Sequence, residues 1–444
     1  MHAIAILALA AATVACGGSG GADAITTPSE PRALTANVGN GAVSLGWAPV
    51  ASDGGAAVQG YEIAITPQTP AATVAVIGRR ALVRGLGNGT TYSFSVRARN
   101  SAGLGSAAQT AAISPADSDT NQYQPLLIAG DQSPSGIFDP ALLRTGPNEL
   151  WMSYSSVHYY RNGSNQLVQD VGIQLARSTD NGLQFQRVVT IATPGPATVT
   201  DTDAGLTACG SPTCVGRWVY ETSWLVADPS DPDPAARYKL FAHKYFLSPG
   251  AASPTLYHLG TIVMWTAADP AGPWSAETSV LGWNLTPPEL SPRTVVNSLA
   301  TAVADCLVVT EGSAVVRGNQ IDLVFACPYL SGNSVVQKIV LLRSVDHLAS
   351  IAYVATILEP ADAAPLGASY YSAPAVLANE DGAPVLLVTP AVGAGIYAGC
   401  VVFPFADENT GTLFRQAGVP LAIQGLPTRA GRFGGACAWA RGAT

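Results

Sequence analysis

Charged residues are scarce in this sequence. Asp, Glu, Lys and Arg together make up 12% of the 444 residues, whereas roughly 25% is typical of globular proteins. The formal net charge is −8, and Lys and Arg form no cluster anywhere along the chain. Because binding to nucleic-acid phosphates needs clustered cations, nucleic acid is excluded as an expected partner.

Long hydrophobic runs are also absent, except at the N-terminus. "MHAIAILALAAATVACGGSGG" contains an apolar run of about a dozen residues, which fits a signal peptide and is too short to span a bilayer. "TVAC" resembles a bacterial lipobox, which implies a signal peptide over residues 1–16, cleavage before Cys16 and lipidation of Cys16. Residues 17–29 would then form a flexible tether. A plain secretory signal is the alternative. We expect an exported chain, either a lipoprotein of the outer membrane or cell surface, or a periplasmic or secreted protein.

Cysteines with the CxxC spacing of zinc sites are missing, and no nearby histidine pair replaces them, so zinc is not expected. The six cysteines other than Cys16 agree with export, because disulfides persist in oxidising compartments. Many pairings remain open. Proximity in the sequence favours three disulfides: Cys209 with Cys214, Cys306 with Cys327, and Cys400 with Cys437.

Turn-forming residues, in contrast, are abundant, with 45 Gly and 32 Pro. They separate short segments that alternate apolar and polar residues, and we find no helical period. This pattern predicts an all-β protein with many short strands. The length favours two domains.

The first predicted domain covers residues 30–116. "AVSLGWAPV" contains Trp47, "GYEIAITP" contains Tyr61, and Leu86 is followed by "NGTTY" with Tyr92, before the ending "RARNSAGLG". These motifs resemble a fibronectin type III domain. The resemblance implies a β-sandwich with Trp47 in its core and Tyr92 as a corner residue, and a role as a spacer or weak adhesion unit.

The second predicted domain, residues 121–444, contains a weak internal repeat. Four units begin with "GIFDPALL", "YETSWLVAD", "TEGSAVVRG" and "YSAPAVLAN", and each continues into further strands. Four strands per unit is the pattern of β-propeller blades. The tail "RFGGACAWARG" would begin a fifth blade, which the strand "YQPLLIAG" near residue 123 would complete. We therefore predict a five-bladed propeller, with four or six blades as alternatives.

Three carboxylates stand near the start of the first strands of these units. Asp139, Glu221 and Glu311 occupy nearly the same register in blades one, two and three, whereas blade four has Ser372 and Ala373 there. Because first strands line the channel of a propeller, we expect the three carboxylates to converge on one pocket. Cleavage of a glycosidic bond needs such a group, with a protonated acid and an ionised base.

"FDPALL", "TEGSAV", "GPW" and "LARSTDNGLQF" resemble motifs of the five-bladed glycoside hydrolases of family 43 and their relatives. The resemblance implies Asp139 as base, Glu221 as a modulator of pKa and Glu311 as acid. It also implies inversion, with the carboxyls of Asp139 and Glu311 about 6.5–9.5 Å apart. Blade two departs from the family by showing "ETS" in place of "DP". Asp228 is therefore an alternative modulator.

These observations predict an enzyme that cleaves glycosidic bonds in a plant or microbial glycan, such as an arabinose- or xylose-containing polymer. The alternative is a non-catalytic surface propeller that binds glycans or proteins. A sialidase is a third hypothesis, since "STDNGLQF" matches the sialidase Asp-box, although the arginines it needs are poorly placed. We expect a monomer with no cofactor and no metal site, although the channel leaves room for a structural Ca²⁺. The candidates for sugar contacts are Tyr154, His158, Trp224 and His243.

Overall fold

The computed structural model describes residues 24–116, 126–200, 213–248, 259–377, 384–393, 396–426 and 437. The predicted signal peptide with Cys16, most of the predicted tether, Cys209 and most of the tail predicted to begin the fifth blade lie outside these residues. Within them, no helix is long and apolar enough to cross a membrane. The structure is nearly all β, as predicted.

The first domain is a two-sheet β-sandwich. Its core includes Val43, Leu45, Trp47 and Tyr92, and the backbone N–H of Gly87 donates to the hydroxyl of Tyr92 over 3.0 Å. The predicted core position of Trp47 is confirmed, and the bond from Gly87, five residues upstream, agrees with the predicted corner role of Tyr92. One sheet has the order β1-β2-β5-β4 and the other β3-β6-β7, with the bounds β1 Arg32–Gly39, β2 Ala42–Ala48, β3 Gly60–Thr66, β4 Thr73–Ile77, β5 Arg80–Arg84, β6 Ser93–Asn100 and β7 Gly103–Gln109.

The second domain is a propeller, and four of its predicted blades lie among the described residues. Blade one contains β8 Ile128–Ala129, β9 Ile137–Arg144, β10 Leu150–Arg161, β11 Leu167–Ser178 and β12 Phe185–Ala192. Blade two contains β13 Gly195–Thr200, β14 Thr213–Ala227, β15 Tyr238–Leu247, β16 Gly260–Ala267, β17 Thr278–Gly282 and β18 Thr294–Val295.

Blades three and four follow the same antiparallel order. Blade three contains β19 Thr310–Arg317, β20 Gln320–Ser331, β21 Ser334–Ser344 and β22 Ala352–Leu358. Blade four contains β23 Tyr370–Val376, β24 Val385–Gly393, β25 Ile396–Tyr397, β26 Cys400–Asp407, β27 Thr412–Leu413 and β30 Gln424–Leu426, and a separate ribbon pairs β28 Arg415–Gln416 with β29 Val419–Pro420. The described 3₁₀ helices are Pro234–Ala236, Pro288–Leu290, Val296–Ser298, Thr301–Val303 and Pro360–Leu366.

The innermost strands β9, β14, β19 and β23 lie side by side in that order. Separate apolar clusters fill the spaces between consecutive blades. Blades two and three therefore have both faces buried between neighbouring blades, which explains why a strand such as β20 is apolar along nearly its whole length.

The segment proposed to complete the fifth blade has a different role where it is described. Ile128–Ala129 pairs in parallel with Phe185 and Gln186 of β12, at the outer edge of blade one. This part of "YQPLLIAG" extends blade one and does not complete a fifth sheet.

Two predicted disulfides are present, Cys306–Cys327 and Cys400–Cys437. Cys214 is also disulfide-bonded, while Cys209, its predicted partner, lies outside the described residues. Cys306–Cys327 joins the loop before β19 to β20, and so fixes the entry of the chain into blade three.

The predicted Asp-box forms the turn between β11 and β12 of blade one. Asp180 accepts hydrogen bonds from the Ser178 hydroxyl at 2.7 Å and from the Gln184 N–H at 3.0 Å. Blade three has the same turn, which the sequence analysis missed. There Asp346 accepts from Ser350, and these bonds lower the pKa of Asp346 to about 2.

Asp228, the alternative to Glu221, lies in a structural ion cluster and not at the candidate site. Its buried carboxylate accepts from Lys239 Nζ at 2.9 Å, and Asp231 accepts from the same ammonium at 2.7 Å. Burial alone would raise the pKa of Asp228, but hydrogen bonds from His347, Lys239 and Ser230 outweigh it and lower that pKa. The assignment of Asp228 as a modulator is therefore wrong.

Replacing Lys239 with Met should destabilise the protein by about 3–5 kcal/mol, because two buried carboxylates lose their common cation. Denaturant unfolding at neutral pH measures this loss. The difference from wild type should shrink as pH falls, because carboxyls with lowered pKa contribute stability above the ordinary carboxyl range and lose it on protonation. Lys338→Met is the control: its partner Asp305 is 52% exposed, so the loss should stay below about 1 kcal/mol. Equal losses in the two variants would contradict this reading.

Candidate active site

Each innermost strand is interrupted by a bulge at the same place. The pairing of β9, β14, β19 and β23 with the next strand slips by one residue there. The bulges coincide with left-handed φ angles at four residues: Asp139 (49°), Thr222 (51°), Glu311 (51°) and Ala373 (44°). Such angles are uncommon for residues other than glycine. A bulge bends the strand and re-aims a side chain, here at the channel.

The bulges set the true register of the three carboxylates. Asp139 and Glu311 are equivalent, whereas the equivalent residue of blade two is Thr222, and Glu221 stands one position earlier. The predicted alignment of blade two was therefore off by one residue. Glu221 nevertheless lies near the others, since its charge acts on Asp139.

Asp139 is held by groups of blades one and two. Its carboxylate accepts from the Ser155 hydroxyl at 3.4 Å, and the backbone N–H of Thr222 donates to that same hydroxyl at 3.1 Å. Burial, together with the charges of Glu221 and Glu311, raises the pKa of Asp139 well above its ordinary value. The Ser155 hydroxyl and the nearby N–H of Thr222 oppose this shift because they favour the ionised form.

Glu311 has the matching environment between blades three and four. Its carboxylate accepts from the Ser372 hydroxyl, and from the backbone N–H of Ala373 at 3.1 Å. Burial raises its pKa against these bonds. Asp139 and Glu311 thus each receive one serine hydroxyl. The N–H of the left-handed residue of the next blade bonds Glu311 directly at Ala373, whereas the N–H of Thr222 bonds the serine that donates to Asp139. The glycine after Glu311 is required by packing, since a Cβ on Gly312 would lie 2.3 Å from the ring of Phe325.

Glu221 accepts a hydrogen bond from the buried hydroxyl of Tyr245 at 2.8 Å. Burial raises the pKa of Glu221, the Tyr245 bond lowers it, and the charge of Glu311 raises it further. The site thus holds three carboxyls whose ionisation is opposed by burial. Neighbouring charges add to this at Asp139, through Glu221 and Glu311, and at Glu221, through Glu311.

Besides Tyr245, further tyrosines near the carboxylates were not predicted from the sequence, among them Tyr397 and Tyr159. The charge of Glu311 and then burial raise the pKa of Tyr397, and burial and then the charge of Glu221 raise that of Tyr159. Both stand in hairpin segments that follow the bulged strands. The "HYY" at the end of β10 and the "IY" of β25 are the only signals in the sequence.

Asp139 and Glu311 open into a cavity between the innermost strands, and Glu221 is not among its lining residues. Its walls are residues 139–142, 222–225, 311–314 and 373–377, together with Cys437. None of these described lining residues is Lys or Arg. Apart from Asp139 and Glu311, most of them are small or apolar.

Two predicted sugar contacts are core residues. Tyr154 is fully buried on the far face of blade one, and its hydroxyl donates to Asp131 at 3.0 Å. Trp224 has an edge at the cavity, but its ring stacks on Phe241 and abuts Phe325, leaving 2% of the residue exposed. Neither can present a free ring face to a sugar, so both assignments are wrong.

The two histidines differ. His158 is exposed on β10 and packs against Tyr160. His243 is buried behind the carboxylates: it is paired with Glu221 across β14 and β15, and its Nδ1 lies 2.9 Å from the hydroxyl of Thr310, the residue before Glu311. His243 therefore supports the site from behind the carboxylates and does not make the direct sugar contact that was predicted for it.

The described residues include two groups with ligand atoms close enough for a metal, and neither lies in the cavity. Cys306 and Cys327 of the first are joined in a disulfide. In the second, Lys239 already pairs with Asp228 and Asp231. A sialidase would need arginines that bind the carboxylate of its substrate. Two candidates lie elsewhere, since Arg177 pairs with Glu149 and Arg343 with Asp322.

Comparison with known proteins matches residues 29–114 to the fibronectin type III domain, which confirms that resemblance. No curated protein matches the chain. Among solved structures, Zg3597, a family 117 glycoside hydrolase of the marine bacterium Zobellia galactanivorans, has a TM-score of 0.40 and 10% identity, covering 69% of this chain and 76% of its own.

Two arabinanases are also similar. The α-L-arabinanase of Cellvibrio cellulosa has a TM-score of 0.35 and 7% identity, covering 81% of this chain and 98% of its own. An exo-1,5-α-L-arabinanase from a bovine ruminal metagenomic library has a TM-score of 0.34 and 11% identity, covering 78% of this chain and 99% of its own. These similarities concern the fold alone.

Tyr245→Phe should raise the pKa of Glu221 further, because the buried carboxylate loses a hydrogen bond that favours its ionised form. An NMR titration of the Glu221 carboxyl measures the change. Stability should also fall more steeply than in wild type as pH rises above the ordinary glutamate range, since ionised Glu221 becomes harder to bury. The control is Tyr154→Phe, whose hydroxyl bonds Asp131 outside the cavity. An unchanged titration of Glu221 in Tyr245→Phe would refute the assigned contact.

Proposed function

We propose that the propeller is a glycoside hydrolase that cleaves glycosidic bonds by carboxylate acid–base catalysis. One observation carries the proposal: Asp139 and Glu311 stand on equivalent bulges of blades one and three and line one cavity. The third carboxylate, Glu221, is close enough to raise the pKa of Asp139. Glycosidases need two carboxyls in different protonation states at one cleft.

Glu311 is the proposed acid, because burial raises its pKa and so favours the protonated form that can donate to a leaving oxygen. Asp139 is the proposed base. A proton on Glu311 removes one of the two charges that oppose ionisation of Asp139, and the Thr222 N–H then stabilises the resulting carboxylate. Glu221 is the proposed modulator, since its charge, when present, still raises the pKa of Asp139 after Glu311 is protonated.

The substrate class that we propose is a plant or microbial glycan, and the proposed outcome is inversion. We also propose that the chain is exported and anchored through a lipid on Cys16, on the strength of the "TVAC" segment and the two described disulfides.

One observation favours a second candidate, a glycan-binding propeller without turnover. The pKa of Asp139 is raised well above its ordinary value, and an ionised base is what hydrolysis requires. If Asp139 keeps its proton at neutral pH, the cavity can still bind a sugar through hydrogen bonds but cannot activate water.

Asp139→Asn and Glu311→Gln should each lower turnover of a panel of aryl glycosides and glycan oligomers about 10²- to 10⁴-fold, the usual contribution of a general acid or base. Both substitutions keep the side-chain shape and remove the titrating group. Glu289→Gln, which changes an exposed glutamate of a 3₁₀ helix, should leave turnover unchanged. Wild-type activity should disappear as pH rises through the raised pKa of Glu311, because the acid is then ionised.

Proton NMR of the first product anomer tests inversion. If the anomeric configuration is retained and both Asp139→Asn and Glu311→Gln are inactive, the protein is still a glycoside hydrolase, but the base and acid roles assigned to Asp139 and Glu311 are wrong. Sugar binding by wild type without turnover of any substrate in the panel would favour the binding module instead.

A further inference from the structure

Blade four has two apolar faces, and each packs on a different partner. Residues alternate along β24, so that Leu386 and Val388 pack towards blade three, whereas Val385 and Leu387 point the opposite way. A strand buried on both sides needs a covering layer on each. The first layer is blade three.

The second layer includes the fibronectin type III sandwich. On β5, Ala81 and Val83 point into the sandwich core, while Leu82 between them points outward and is 1% exposed. Leu82 and Ala42 belong to one apolar cluster with Val385 and Leu387 of blade four. The outer face of the first sheet is therefore packed against the propeller at β2 and β5, whereas β4 stays exposed.

Polar contacts fix the same interface. The backbone N–H of Asn40 donates to the carbonyl of Ile423 at 2.7 Å, and Gly39 lies so close that a Cβ there would be 2.2 Å from that oxygen. Arg80 forms an ion pair with Glu408, and the two side chains are only 14% and 19% exposed. A charge pair this sheltered fixes the relative position of the two domains more firmly than a surface pair would.

The interface also extends to the cavity. Ala375 and Leu377 line the cavity and pack against the cluster that contains Ala42 and Leu82. Cys437 does both as well. Ala373, two residues before Ala375, donates its N–H to Glu311. The wall that orients Glu311 thus packs against the same apolar cluster that contains the sandwich residues Ala42 and Leu82.

We propose that the fibronectin type III domain is a structural partner of blade four that holds this wall of the cavity in place. This role replaces the spacer function expected from the sequence. The inference rests on the interface contacts and does not depend on the proposed catalytic activity.

Leu82→Asp in the full chain tests the proposal, because it places a charge in the shared cluster. Amide hydrogen exchange is followed by mass spectrometry in peptides that cover Val385–Gly393 and Cys400–Asp407. Exchange in these strands should accelerate on the order of 10-fold or more, since their local opening becomes easier. Val74→Asp, at a 41%-exposed apolar position of the same sandwich, should leave blade four unchanged.

Peptides over Gly60–Thr66 and Ser93–Asn100 report whether the sandwich itself stays folded. Faster exchange in blade four supports the proposal whether the sandwich is folded or unfolded. Wild-type exchange in blade four overturns it in either case, because a spacer can be perturbed without consequence for the propeller.

The ion pair supplies a milder test that does not threaten folding. Arg80→Glu and Glu408→Arg should each accelerate exchange in blade four, and the double variant should recover part of the protection, as coupled neighbours do. A double variant no better protected than the sum of the single effects would count against the interface. No glycan or turnover assay is involved, so failure here leaves the proposed function untouched.

Discussion

The candidate site depends on a backbone constraint, the left-handed bulge that recurs in the first strand of each described blade. A left-handed conformation costs a residue with a side chain about 1–2 kcal/mol, yet Asp139, Thr222, Glu311 and Ala373 all adopt it. The conformation aims a side chain into the channel, and it also leaves the N–H of the same residue free of the sheet ladder. At Ala373 this N–H donates to the carboxylate of Glu311 in the preceding blade. At Thr222 it donates to the hydroxyl of Ser155, which in turn bonds the carboxylate of Asp139.

The electrostatics follow from that geometry. Bringing carboxylates together in a partly buried cavity opposes their ionisation twice, through desolvation and through mutual repulsion. The serine hydroxyls and bulge N–H groups offset part of this, so the site keeps its carboxylates without a lining Lys or Arg among the described residues. The outcome is a group of acids whose protonation states depend on one another, which is the property that acid–base chemistry needs.

The sequence predicted the fold class, the sandwich core and two disulfides, because alternation and cysteine proximity are local signals. It also placed Asp139 and Glu311, whose "DP" and "EG" segments mark the bulges. It could not place the bulge of blade two, which is set by pairing between β14 and β15. Trp224 could have been recognised as core, since "WLV" is apolar at three consecutive positions and a strand exposed on one face would alternate.

The same pattern was present in the sandwich. "ALV" over residues 81–83 is apolar at three consecutive positions, which indicates a strand covered on both faces, although a free-standing sandwich would leave one face to solvent. The pattern does not identify the covering partner, because Leu82 meets side chains more than 300 positions away. The sandwich and the propeller are therefore separate domains in the sequence but share one apolar cluster in the structure. Blade four uses its two faces to join the sandwich to the rest of the propeller, and the Glu311 side of the cavity lies on that connection.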